Sequence, residues 1–155
     1  MSDQSAVKEL LKKGLACLKE GEPARAVPFF EEMLLASDLS PLAHACLGLA
    51  MARAGKDLAK AEAFCLEAVM KKPVMGEYYR TLAEVYLIQG KKAEAIEALK
   101  TGAALVEGNA ELVEELKRFG IRKRPVIPFL PRSNFFNRNL GRVLSKLRPG
   151  HPSVS

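Results

Sequence analysis

The chain has no tryptophan, and only 6% of its residues are aromatic. Histidine occurs twice, at His44 and His151, and cysteine three times, at Cys17, Cys46 and Cys65. Each scarcity excludes something. A catalytic nucleophile needs a base within hydrogen-bond reach, and two histidines so far apart leave few neutral candidates. His44 falls at a packing position of the repeat described below, where a satisfied core histidine is the better reading. His151 lies in the terminal "RPGHPSVS". No glycine-rich phosphate loop follows a strand, because no strand pattern is evident. An enzyme is therefore not expected. The cysteines are odd in number and widely spaced among apolar neighbours, whereas a zinc centre wants paired ligands a few residues apart. They are expected to be small buried thiols in a reducing, cytoplasmic setting, with no metal and no cofactor. No apolar run approaches the ~18 residues that span a bilayer, and the charged opening "MSDQSAVKELLKK" has no signal-peptide core.

Acidic residues are also missing from one whole region. From Lys117 onward there are ten Lys or Arg and no Asp or Glu, which leaves 14 basic against all 18 acidic residues before it. The net +6 thus divides into −4 for the body and +10 for the tail. Such asymmetry points to an anionic target for the tail, the chain's own body included.

What is abundant is helical. Apolar residues make up 48% of the 155, rich in alanine and leucine, enough for one domain that buries about two-thirds of its unfolded surface. Three stretches align: "LLKKGLACLKEGEPARAVPFFEEML", "HACLGLAMARAGKDLAKAEAFCLEAV" and "YRTLAEVYLIQGKKAEAIEALKTGA". Gly14, Gly48 and Ala83 coincide at spacings of 34 and 35, and so do Gly21, Gly55 and Gly90. Ala26, Ala61 and Ala95 follow, with Phe30, Cys65 and Leu99 four residues further on. In the first unit Val7, Leu10, Leu11, Gly14, Leu15 and Leu18 form an apolar stripe at helical spacing. The small residues mark close helix crossings, and the glycines at 21, 55 and 90 mark helix ends. Ser40-Pro41 starts a helix as cap and first residue, and "PLAHACLGLAMARAG" is apolar nearly all round, as a sandwiched helix must be. The pattern predicts three stacked helical hairpins.

These units resemble tetratricopeptide repeats, whose signature is W-x2-L-G-x2-Y, then A-x3-F, then P. His44, Leu47, Gly48 and Met51 fit the first part in the second unit, and Tyr79, Leu82, Ala83 and Tyr86 in the third. Ala26, Phe30 and Pro73 fit the later part. Lys13 stands where the first unit would carry leucine, and no proline is in register at Asp38 or Glu107. The resemblance covers residues 6–109, and "AELVEELKRFG" (110–120) follows as a capping helix with Leu112, Val113, Leu116 and Phe119 on one side. It implies an all-α right-handed superhelix over 6–120, acting as a protein–protein adaptor or scaffold with a concave partner groove. Carried over, the groove is Leu11, Leu15, Leu18, Leu42, Ala45, Leu49, Arg80, Glu84 and Leu87. Relatives that hold acidic chaperone tails use a lysine, asparagine and arginine clamp, and here Leu11, Leu15 and Leu49 stand where that clamp begins. The implied ligand is another protein's apolar or amphipathic segment. Packing between units is the alternative role for each of these leucines.

The tail, residues 121–155, is of another kind. Pro125, Pro128 and Pro131 forbid helix and favour an extended path, yet Val126, Ile127, Phe129 and Leu130 are too apolar for a solvated linker. A short amphipathic helix is expected over about 134–148, capped by Ser133 or Asn134, with Phe136, Leu140, Val143, Leu144 and Leu147 on one side. Three targets compete. The first is a protein surface, the chain's own body or a partner's, gripped by Phe129, Leu130, Phe135 and Phe136. The second is an anionic membrane surface contacted by Arg122, Lys123, Arg124, Arg132, Arg138, Arg142 and Lys146. Nucleic acid is the least favoured, since no sequence-reading module accompanies the basic residues. A tether of the second or third kind is the alternative to a groove-based adaptor.

Overall fold

The computed structural model describes residues 2–36 and 40–120. They form seven helices: α1 (Ser2–Lys19), α2 (Pro23–Ala36), α3 (Pro41–Arg53), α4 (Leu58–Lys71), α5 (Gly76–Ile88), α6 (Lys92–Leu105) and α7 (Ala110–Arg118). Among the described residues there is no strand. Helices α1 and α2, α3 and α4, and α5 and α6 pair as hairpins. The hairpins stack through α2 on α3 and through α5 on both α3 and α4, while α7 closes the far end against α6. This is the expected all-α, tetratricopeptide-like array of helical hairpins.

The repeated glycines end the first helix of every unit in one way. Gly21, Gly55 and Gly90 have φ of 77°, 66° and 76°, a left-handed conformation that only glycine adopts without cost. After each, the next amide donates back across six residues: Glu22 to Cys17 O at 2.9 Å, Lys56 to Met51 O at 3.0 Å and Lys91 to Tyr86 O at 2.8 Å. The carbonyls that a helix end leaves orphaned are satisfied in the same manner three times. At the other ends, the side chains of Ser40, Asp57 and Asn109 accept from the amides of Ala43, Lys60 and Leu112.

The core runs lengthwise through the stack. Phe30, Met33, Leu47, Cys65, Tyr79, Leu82, Val85 and Leu112 are its largest fully buried side chains. Helix α3 is buried on nearly every side, from Ala43 to Gly48 and from Ala50 to Ala52, which explains its apolar circumference. Small residues let helices touch: a Cβ added at Gly14 would stand 2.5 Å from Phe30 Cε1. The buried Tyr79 hydroxyl donates to the Pro73 carbonyl oxygen at 2.9 Å, which fastens the turn before α5. The α1 stripe divides in two. Gly14 and Cys17 are buried, with Val7, Leu10, Leu11 and Leu18 packed against the core, while Leu15 remains 46% exposed.

Candidate functional site

Helices α3, α5 and α7 together with Leu99 of α6 enclose an open cavity of about 230 Å³. Leu49 and Arg53 line it from α3; Glu77, Arg80, Thr81, Ala83, Glu84 and Leu87 from α5; Glu115 from α7 and Phe119 from its C-cap. Four residues anticipated for the groove, Leu49, Arg80, Glu84 and Leu87, therefore meet in one place. Leu87 is 43% exposed, and Leu49 is half-buried. Leu11, Leu15, Leu18 and Leu42 do not line this cavity. Leu15 and Leu42 are exposed, Leu11 and Leu18 half-buried, on the first helices of the first two units.

Ala45 is a correction. It is 3% exposed, and its carbonyl oxygen lies 3.9 Å from Cys65 Sγ of α4. It is part of the α3–α4 packing, because the close crossing at Gly48 draws α4 over that side of α3, and it offers a ligand no surface.

The charges on the cavity wall compensate one another. Arg53 Nε donates to Glu84 Oε1 at 2.6 Å, linking α3 to α5. Arg80 Nη1 donates to Glu111 Oε2 at 2.6 Å, linking α5 to α7, with Glu77 at 3.9 Å. Glu115 is paired in turn with Arg118 at 3.3 Å. All these side chains keep substantial access to solvent, so the pairs hold orientation more than they add stability. Two arginines already engaged by carboxylates leave a mixed lining, in which Leu49, Leu87, Leu99 and Phe119 supply the larger apolar side chains.

As lining residues, sequence reasoning missed Arg53, Glu77, Thr81, Ala83, Leu99, Glu115 and Phe119. Arg53 could have been found, since it stands one helical turn after Leu49. Phe119, expected on the apolar side of the capping helix, is half-buried, and the Lys92 ammonium lies 5.8 Å from its ring centre.

The groups with chemical potential elsewhere are occupied. His44 is 5% exposed; its Nδ1–H donates to the Ser40 carbonyl oxygen at 2.8 Å, and its Nε2 faces Lys71 Nζ at 3.4 Å and Glu67 at 3.5 Å. The three thiols are free and buried. Burial pushes Cys46 up to about 11 and raises Cys65 further, so neither is a nucleophile near neutrality. Burial likewise raises Tyr79 and Tyr86. No group of three or more metal-ligating side chains occurs among the described residues, and no helix there is long and apolar enough to cross a membrane. The tail residues Phe129, Leu130, Phe135 and Phe136, and the basic Arg122, Lys123, Arg124, Arg132, Arg138, Arg142 and Lys146, lie outside the described residues.

No protein-family model matches the sequence, and no curated protein resembles it in sequence. Solved structures do match in fold. The first TPR of Spaghetti (RPAP3), bound to the HSP90 peptide SRMEEVD, is 22% identical at a TM-score of 0.63, covering 75% of this chain and 94% of that one. The second TPR domain of the human RPAP3 protein, in complex with the HSP70 peptide SGPTIEEVD, is 22% identical at 0.62, covering 77% and 98%. MamA is 21% identical at 0.58, covering 92% and 81%. The likeness places the described helices in the tetratricopeptide-repeat fold.

Proposed function

We propose that this array of tetratricopeptide-repeat fold is a protein–protein adaptor that holds an apolar or amphipathic segment of a partner along its inner face. One observation carries the reading: exposed leucines, Leu15, Leu42 and Leu87, recur on the first helices of all three units, and the last lines a cavity whose charges are already paired. Apolar side chains left at the surface on one face of a repeat array are what an amphipathic ligand buries. Proteins of the same fold hold peptides of chaperones, which supports a protein as the partner. The acidic ending of those peptides suits this groove poorly, because Leu11, Leu15 and Leu49 replace polar clamp positions. We assign the protein no catalytic role, and no step of such chemistry is needed for the reading.

The test is site-specific crosslinking. A photoreactive residue placed at Leu87 should crosslink to one defined partner segment, and the same residue at the exposed Val74, in the turn before α5, should not. Crosslinks from Val74 with none from Leu87 would overturn the assignment. The ten basic residues from Lys117 onward favour a second reading, in which the tail tethers the repeats to an anionic membrane or a nucleic acid. Its signature is binding to anionic vesicles or single-stranded RNA that collapses steeply as salt rises.

A further inference from the structure

We propose that the chain carries its own competitor: residues 126–130 occupy the cavity between Leu49, Leu87 and Phe119, and a partner binds by displacing them. The proposal rests on the groove reading above and adds an occupant to it.

Position is the first argument. Phe119 lines the cavity and caps α7, and Gly120 follows it with a φ of 80°. The 35 residues that remain, 121–155, thus begin at the mouth of the cavity. Six residues of extended chain at ~3.1 Å each reach about 20 Å, enough to set Val126 over a cavity only two or three helices wide.

Chemistry is the second. Val126, Ile127, Phe129 and Leu130 supply an apolar run broken by Pro125, Pro128 and Pro131. Prolines stiffen the free segment, so less freedom is lost when it docks. Leu49, Leu87 and Phe119 offer it apolar surface within the cavity, and Leu87 there is 43% exposed.

Charge is the third. Residues 121–155 carry +8 and residues 1–120 carry −2. Glu77 and Glu111, on the same side as the cavity, remain 63% and 68% exposed despite sharing Arg80. Basic residues flanking the apolar run, Arg122, Lys123, Arg124 and Arg132, would find acidic groups on either hand. Because the segment is tethered, even a weak contact works at an effective concentration in the millimolar range.

The test uses the purified full-length chain with nothing added. Tryptic cleavage after Lys123 and after Arg132, which flank the segment, is timed by mass spectrometry and normalised to the urea-unfolded chain. Wild type is compared with the double variant Phe129→Ser, Leu130→Ser and with Leu87→Asp. Both variants should be cut at least about tenfold faster than wild type, since each removes apolar burial worth that much in the closed population. The protection should persist at about 0.5 M salt, where charge is screened and burial is not, and should not change with protein concentration. Equal rates in wild type and the tail variant would overturn the proposal. So would protection that rises with concentration (a second copy as occupant) or that vanishes with salt (charge contact alone). Should Leu87→Asp lose helicity, the tail variant alone decides. No partner is present, so this result and the crosslinking at Leu87 can fail independently.

Discussion

Gly48 in α3 and Cys65 in α4 meet so closely that a Cβ on Gly48 would stand 2.5 Å from the Cys65 sulfur and 2.6 Å from the Ala61 carbonyl oxygen. A sulfur can rotate away, but a helix carbonyl cannot without moving α4. Gly48→Ala should therefore cost about 1–3 kcal/mol in urea unfolding, and Gly48→Leu more, despite the usual helix preference for alanine. Gly14→Ala, which meets only the ring of Phe30, should cost less. An unchanged midpoint for Gly48→Ala would contradict the crossing.

Leu15 and Leu87 are 46% and 43% exposed on α1 and α5. Changing both to Asp should leave the circular dichroism spectrum helical and shift stability by no more than about 0.5 kcal/mol each, as surface substitutions do. Crosslinking of the partner segment, read from a photoreactive residue placed at Leu49 instead, should disappear. Unfolding of the double variant would make these leucines part of the core.

An acidic chaperone peptide is the natural negative probe. SRMEEVD, the peptide held by the first TPR of Spaghetti, should show no saturable binding in fluorescence anisotropy, because Arg53 and Arg80 are taken by Glu84 and Glu111. Glu84→Gln would release Arg53 and should raise whatever weak binding exists. Micromolar binding by wild type would mean that the wall is rearranged by ligand.

Stability should fall in alkali. The Cys46 thiol, ordinarily at 9.0, is pushed up to about 11 by burial, and Cys65 is raised too. Between pH 9 and 11 the unfolded chain has released these protons while the folded chain still holds them. Fewer protons on the unfolded state means that stability declines as pH rises, by on the order of 2 kcal/mol for Cys46 alone. Urea midpoints from about pH 8 upward measure this. Cys46→Ala, Cys65→Ala should flatten the decline, and a midpoint that rises through this window would refute the burial of the thiols.

The architecture was readable because its markers are forced by backbone geometry. Gly21, Gly55 and Gly90 recur since a left-handed helix end admits little else, and Gly14 and Gly48 since nothing larger fits the crossings. The site was less so. Periodicity names a face only where a helix has a polar one, and α3 has almost none, so nothing in the pattern tells that α4 covers Ala45 while Leu49, one turn on along the same face, stays half-buried. The pairs Arg53–Glu84 and Arg80–Glu111 each span 31 residues. That separation acquires meaning only once the stacking of units is known, and no local pattern in the chain announces it.

The three matching glycine-ended turns have a further consequence. Since the first helix of every unit is closed by backbone bonds, Glu22, Lys56 and Lys91 donating to carbonyls five residues upstream, these turns do not depend on the side chains that face a ligand. Lining positions such as Leu49 and Leu87 are free to be rewritten without bending the scaffold that displays them. Form and address are kept in separate parts of the same sequence, and a new specificity needs changes in only one of them.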